Sequence, residues 1–149
     1  MKRIILVALL VPILQNVSGQ KISASKVPAA VTSSFKNQYA DVKSVTWELE
    51  NGNFEANFKR NGTSTSVVYD KNGSLLETEV DIKVSELPAS VGTYVNSHYK
   101  SKIKEASKIT KQNGEVNYEA TLKKTEVIFD GNGNFLKEIK EEKEAKEKK

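Results

Sequence analysis

The sequence predicts an α+β fold made of two tandem repeats, each a helix followed by a four-stranded antiparallel meander. The two meanders are expected to form one sheet with both helices on one face. Three observations support this prediction: a ten-residue block occurs twice, each half opens with one helical pattern, and the rest of each half alternates apolar and polar residues between turn signals. Together they indicate an internal duplication.

The recurring block is the most specific of these signals. Residues 67–76 (VVYDKNGSLL) return as residues 127–136 (VIFDGNGNFL), sixty positions later, with five of ten residues identical. Three of the other five are exchanged for another apolar or aromatic residue. We therefore predict a single domain over residues 20–141, with repeat 1 at residues 22–80 and repeat 2 at residues 82–141.

The first nineteen residues have the pattern of a secretory signal peptide. Lys2 and Arg3 precede an apolar run over residues 4–14, and small residues follow up to Gly19. The run is too short for a spanning helix, and no Cys follows it to carry a lipid anchor. We expect cleavage near Gly19, a periplasmic or secreted product, and no membrane span after cleavage. A buried apolar N-terminal strand or helix is the alternative.

The overall charge gives little information about partners. The chain has 23 basic and 19 acidic residues and no cysteine. Without the signal segment and the Lys- and Glu-rich C-terminus the body is close to neutral, so the concentrated basic face of a nucleic-acid binder is not expected. Disulfides, thiol catalysis and Cys-ligated metals are excluded. The charged tail, residues 142–149, is expected to be disordered, with a short helix held by i,i+4 ion pairs as the alternative.

Each repeat is predicted to begin with an amphipathic helix of about three turns. Pro28 and Pro88 are expected at the first helical position, where the missing N–H has no intrahelical partner. The helices should end near Tyr39 and Tyr99. The apolar stripes comprise Val27, Val31 and Phe35 in repeat 1, and Leu87, Val91, Val95 and Tyr99 in repeat 2.

Four strands are predicted to follow the first helix. They cover residues 45–50, 54–59, 65–69 and 75–80. Asn51 and Gly52 predict a type I′ hairpin turn, because both residues tolerate positive φ. Trp47 alternates with charged residues, so it either anchors an interface or packs in the core against the helix, and the alternation favours the core.

Repeat 2 keeps this plan with changes. Asn113 and Gly114 match the Asn-Gly turn of repeat 1, and Ile109 is expected in the place of Trp47. The hairpin around residues 123–126 is shorter than its counterpart and lacks glycine. The segment over residues 106–111 is weakly apolar, which makes it the strand with the least support in the sequence.

The two Asp-x-Asn-Gly loops, residues 70–73 and 130–133, have two interpretations. A calcium loop would need more oxygen ligands and a bidentate Glu six residues after the glycine, where Glu79 and Ile139 stand. A type I turn needs only an Asp carboxylate that accepts backbone N–H groups and a glycine in the left-handed conformation. The sequence favours turns, and no metal or cofactor is expected.

No residue is predicted to be catalytic. His98, the single histidine, lacks the partners of a metal ligand or a general base and is expected on the surface or edge of a helix. Paired carboxylates could support glycosidase chemistry. Nothing in the sequence suggests the desolvation that would raise their pKa, so we interpret them as the polar face of a sheet. A hydrolase using Glu55 and Glu119 is the enzymatic alternative.

The polar residues of the predicted strands define a candidate partner surface. They occupy the sheet face opposite the helices, which is left open. The residues of this surface are Thr46, Glu48, Glu50, Glu55, Asn57, Asn117, Glu119 and Thr121. A plain solvated face would have the same pattern.

The order and duplication of these elements resemble the PepSY-like proteins, also described as beta-lactamase-inhibitor-like proteins of the bacterial envelope. The resemblance covers residues 22–141 and depends on the proline-initiated helices, the Asn-Gly hairpins and the repeated Asp-x-Asn-Gly hairpin. It implies a beta-lactamase-inhibitor-protein-like tandem fold and a periplasmic location. It also implies binding, and inhibition, of peptidases or similar enzymes, but supplies no set of functional residues.

The sequence therefore favours a non-enzymatic binding module that docks a protein or peptide of the cell envelope on its open sheet face. The alternative is a small-ligand or envelope-stress protein that binds a lipid, glycan or metal in a groove between the repeats. A partner's identity and any inhibitory activity are left open.

Overall fold

The computed structural model describes residues 19–140. The predicted signal peptide, apart from Gly19, and the charged tail lie outside the described residues. The helices are α1 (Ala29–Gln38) and α2 (Ala89–His98). The strands are β1 (Gln20–Ile22), β2 (Val45–Glu50), β3 (Asn53–Arg60), β4 (Thr63–Tyr69), β5 (Leu75–Ile82), β6 (Glu105–Lys111), β7 (Val116–Thr121), β8 (Thr125–Asp130) and β9 (Phe135–Lys140).

Over these residues the strands form one antiparallel sheet in chain order, from β1 to β9. The predicted fold class is confirmed, because each repeat contains one helix and a four-stranded meander. The sheet has nine strands rather than eight, since β1 adds to the edge of β2. In β1, Ile22 pairs with Trp47, and sixty positions later Ile82 pairs with Ala106. Strand β5 therefore ends repeat 1 and also supplies the first pairing of repeat 2.

Relative to the start of each helix, the two prolines lie one residue earlier than predicted. Pro28 and Pro88 are the N-caps, with ψ of 144° and 139°. An extended ψ cannot belong to a helical residue, so each helix begins at the following alanine. The proline carbonyls still start the helical hydrogen bonding, because Pro28 O accepts from the backbone N–H of Thr32 at 3.1 Å.

Helix α1 packs over the first half of the sheet through an aromatic cluster. The Phe35 ring meets the Trp47 ring edge-on at 5.4 Å and the Phe58 ring at 5.2 Å. Trp47 is only 4% exposed, which confirms its prediction as a core residue. Burying each of these rings contributes roughly 2–3 kcal/mol of hydrophobic stabilisation.

Helix α2 packs over the second half with smaller side chains. Val91 and Val95 contact a core that includes Ala120, Val127 and Phe129. The expectation that Ile109 replaces Trp47 is wrong. Ala106 holds that position in the register, because it pairs with Ala120 as Trp47 pairs with Ala56. The side chain of Ile109 points to the other face, beside Asn117.

The Asn-Gly turns of the two repeats differ. Asn51 and Gly52 have φ of 49° and 81°, as a type I′ turn requires. Gly114 has φ of 83°, but Asn113 is not in the positive-φ region. The predicted equivalence is therefore wrong for Asn113, since four residues rather than two join β6 to β7.

The duplicated Asp-x-Asn-Gly blocks form turns, as predicted. Asp70 Oδ1 accepts the backbone N–H groups of Asn72 at 2.9 Å and Ser74 at 2.8 Å. Asp130 makes the same two bonds to the corresponding residues of repeat 2. These bonds lower the pKa of Asp70. For Asp130 the side-chain amide of Asn134, which donates to Oδ2 at 2.9 Å, lowers the pKa most, and the backbone bonds add to the effect.

Each turn also contacts the start of the helix in its own repeat. A Cβ atom on Gly73 would lie 2.6 Å from the Ala30 carbonyl oxygen. One on Gly133 would overlap Ser90 Oγ. The glycine is therefore required both for its positive φ and for the close approach of the helix, so the duplicated turn fixes strand register and positions the helix.

We expect Gly73→Ala to lower the free energy of unfolding by about 3 kcal/mol, through left-handed strain plus overlap with the helix backbone. Gly114→Ala is the matched control, because Gly114 has nearly the same φ and no atom within 4 Å of the added Cβ. The control should cost about 1 kcal/mol. Urea denaturation measures both, and equal losses would contradict the proposed role of the turn.

Candidate functional site

The sheet has one face covered by the helices and one open face. Alternate residues of a strand point to opposite faces, so the helix-facing core residues fix where the others lie. We use "open face" for the strand side chains opposite the helices. All eight residues of the predicted partner surface lie there: Thr46, Glu48, Glu50, Glu55, Asn57, Asn117, Glu119 and Thr121.

These residues form two separate groups. Glu48 pairs directly with Glu55 across β2 and β3, and Thr46 pairs with Asn57. On β7, Thr121 Oγ1 donates to Glu119 Oε1 at 3.2 Å. Strands β4, β5 and β6 lie between the groups, so the two halves of the predicted surface do not touch.

Residues missed by the sequence analysis fill the space between them. Glu77, Glu79 and Asp81 project from β5 onto the open face, opposite Lys111, Ile109 and Ser107 of β6. Their spacing at alternate positions was a usable signal. It was missed because β5 was taken only as the last strand of repeat 1, whereas it lies in the middle of the sheet.

The centre of the open face is desolvated. Ile109 is 7% exposed and Ile128 is 6% exposed, although neither faces the helices. Ser107 and Asn117 are buried beside them. The side-chain amide of Asn117 makes two hydrogen bonds. Its oxygen accepts from Lys111 Nζ at 3.3 Å, and its nitrogen donates to the Val116 carbonyl at 3.0 Å.

Burial perturbs the acids of this region. It raises the pKa of Glu119 to about 8, and the charges of Glu79, Glu126 and Glu77 add to the effect. Burial also raises the pKa of Glu79, although Ser107 Oγ donates to its Oε1 at 2.6 Å and favours the ionised form. The expectation that no carboxylate would be desolvated is therefore wrong.

The same effect extends over both repeats. Burial raises the pKa of Glu55 and of Glu77. By contrast, an ion pair with Lys111 at 2.7 Å lowers the pKa of Glu115 in the β6–β7 loop. The four carboxyls with raised pKa values, those of Glu55, Glu77, Glu79 and Glu119, all lie on the open face.

An open groove of about 820 Å³ crosses this face in repeat 1 and reaches β5. Glu55, Glu79 and Asp81 line it, and Arg60 stands on its rim in an ion pair with Asp41 at 2.9 Å. Polar and charged side chains supply most of its walls. The groove lies within one half of the sheet and not between the repeats, where the alternative function would place a ligand.

The described residues do not contain a group of three or more His, Cys, Asp or Glu side chains arranged to hold a metal ion. His98 lies away from the acids, exposed on α2 and stacked on Tyr94 at 4.0 Å. This confirms its prediction as a surface helix residue. What the open face can do chemically is hold protons and accept cations or hydrogen-bond donors.

Comparison with known families decides the classification. A family model described as "Putative beta-lactamase-inhibitor-like, PepSY-like" matches residues 15–77 and again residues 52–137. The chain belongs to the PepSY-like family. The two overlapping matches agree with the duplicated element order of the fold. No curated protein matches the sequence significantly.

Solved structures share the PepSY-like fold. A "putative periplasmic" protein of Bacteroides eggerthii superposes with a TM-score of 0.68 at 16% identity, covering 76% of this chain and 88% of its own. A DUF2874 family protein of Bacteroides uniformis gives 0.67 at 19% identity, with the same coverage. A BLIP-like protein of Bacteroides fragilis gives 0.58 at 20% identity, covering 79% and 91%. These similarities establish the fold.

The family resemblance inferred from the sequence is thus confirmed. Within residues 19–140, neither helix has the length and hydrophobicity needed to cross a bilayer.

We expect Glu119→Gln to change how stability depends on pH. The pKa of Glu119 is about 8 in the folded chain, against an ordinary value of 4.5. The folded state therefore keeps a proton that the unfolded state loses, and stability falls as pH rises from 4.5 to 8. The variant should lose part of this dependence of stability on pH. At pH 8 its free energy of unfolding should exceed that of the wild type by on the order of 1 kcal/mol, a value reduced because Glu119 is partly accessible to solvent.

Urea denaturation at pH 5 and pH 8 measures this difference. Glu115→Gln is the matched control, because Lys111 stabilises the Glu115 carboxylate, and it should give no gain at pH 8. If the stability of Glu119→Gln fell between pH 5 and pH 8 as much as that of the wild type, the burial of Glu119 would have no thermodynamic effect.

Proposed function

We propose that this protein is a non-enzymatic binding module of the bacterial envelope that docks a protein or peptide on its open face. The observation that carries the proposal is the desolvated centre of that face. Ile109 and Ile128 are buried among polar side chains on a continuous sheet surface opposite both helices. Neighbouring side chains already cover these isoleucines, so the face offers a partner mainly polar and charged groups around a centre with little water, and charge complementarity of such groups sets partner choice.

The family and its structural neighbours support the location and the class. The matching family is described as beta-lactamase-inhibitor-like, and a neighbour from Bacteroides eggerthii is described as periplasmic. An envelope location also agrees with the signal peptide expected over residues 1–19. A docking role needs no catalytic group.

The shape of the open face favours a macromolecular partner over a small ligand. Small-molecule pockets are enclosed and mainly apolar, with a few polar groups. The groove here is open, and Glu55, Glu79, Asp81 and Lys59 are among its lining residues. An extended segment of a partner can lie along such a surface.

Photo-cross-linking tests the docking surface. A benzophenone amino acid at Thr46, which is exposed on the open face, should form an adduct with one envelope protein whose purified form then binds the module. The matched control places the same group at Lys36, which is exposed on α1. Equal adducts at both positions, or none from the open face, would contradict the proposal.

A further inference from the structure

Charge is distributed unequally between the two sides of the sheet. The whole chain has a formal net charge of +4, yet acids predominate on the open face. The acids there are Glu48, Glu50, Glu55, Glu77, Glu79, Asp81, Glu105, Glu119 and Glu126. The lysines there are Lys21, Lys59, Lys111 and Lys137.

The charges of Lys111 and Lys137 partly offset the raised pKa of Glu77, whereas no lysine charge among the described residues offsets that of Glu55, Glu79 or Glu119. Lys21 and Lys137 lie on β1 and β9, the two edge strands. Lys59 is exposed near the end of β3. Lys111 is bound to Glu115 at 2.7 Å. The middle of the face therefore has more carboxyl groups than basic groups, and a cationic partner would favour their ionised form.

Three of the acids follow a diagonal across the sheet. Glu55 is on β3, Glu79 on β5 and Glu119 on β7. Each acid lies two strands over from the previous one and two residues beyond the residue that shares its row. Strands are ~4.8 Å apart and alternate residues ~6.8 Å apart, so each step is ~12 Å. The charge of Glu55 acts on Glu79, and that of Glu79 acts on Glu119.

Resting on the proposed function, we propose that the partner is a cationic, extended peptide segment whose Lys or Arg side chains lie along the Glu55–Glu79–Glu119 diagonal. A step of ~12 Å corresponds to about four residues of extended chain, a spacing at which side chains point to the same side. Basic side chains at that spacing can each reach one carboxylate, and the intervening residues cover the desolvated surface near Ile109. Charge complementarity of this kind sets partner choice and association rate.

Protons regulate such a contact. Side chains from four neighbouring strands surround Glu119 on the open face. They are Glu77 and Glu79 of β5, Glu105 and Ser107 of β6, Glu126 of β8, and Lys137 of β9. Glu119, whose pKa is about 8, holds a proton at neutral pH. A partner cation favours its ionised form, so binding releases a proton and the affinity should rise with pH.

The test is calorimetric titration of the purified mature protein with the peptide acetyl-Lys-Ser-Thr-Ser-Lys-Thr-Ser-Thr-Lys-amide at pH 6, 7 and 8. We expect binding that tightens about fivefold or more from pH 6 to pH 8 and weakens with salt. The same peptide with acetylated lysines should not bind. Glu119→Gln should bind more weakly with little pH dependence, and Glu55→Gln should weaken binding while keeping the pH dependence.

Glu86→Gln is the matched control, because Glu86 lies outside the open face, in the single 3₁₀ turn Val84–Glu86 that precedes α2. It should bind as the wild type does. Equal affinity for the acetylated peptide, or unchanged affinity in both open-face variants, would overturn the inference. If the peptide does not bind but the Thr46 position still cross-links a partner that binds when purified, the cationic inference fails and the docking function stands. Failure of both would remove the docking function as well.

Discussion

The structure depends on the fact that one strand belongs to both repeats. Strand β5 pairs with β4 on one edge and with β6 on the other, so the two meanders cannot rotate relative to each other. Because side chains alternate between faces, this shared strand places both helices on the same side. It therefore also leaves the opposite side as one continuous surface, and the glutamates of β5 lie at its middle.

The two halves of the sheet share a backbone plan but differ in their side chains. Trp47 fills the core under α1, while Ala106 holds the same register under α2, where Tyr94 and Phe129 supply the aromatic contact at 5.6 Å. On the open face, no helix in the described part of the chain packs against the side chains. Residues there respond to solvent, to neighbouring charges and to any partner, which explains how one side of a nearly neutral body became strongly acidic.

Local signals were sufficient to predict the elements. The Asp70 and Asp130 turns, the type I′ turn at Asn51, and the core position of Trp47 follow from φ preferences and period-two alternation. Asn113 and Ile109 were misassigned because insertions before β7 changed the loop length and the register, and periodicity alone does not locate insertions. The sequence predicted the residues of the candidate site on β2, β3 and β7 but not those on β5. Glu119 was placed on the correct face, but the charge of Glu79, which helps to raise its pKa, comes near only when β5, β6 and β7 pair.

The central claim is that the open face concentrates desolvated carboxylates, and carbon-13 NMR titration of the glutamate side chains tests it most directly. We expect the carboxyl carbons of Glu55, Glu77, Glu79 and Glu119 to titrate above the ordinary value, with Glu119 near pH 8. Those of Glu115 and Glu138 should titrate below it. Titration of all six at the ordinary value would show that the face is an unperturbed, fully solvated surface.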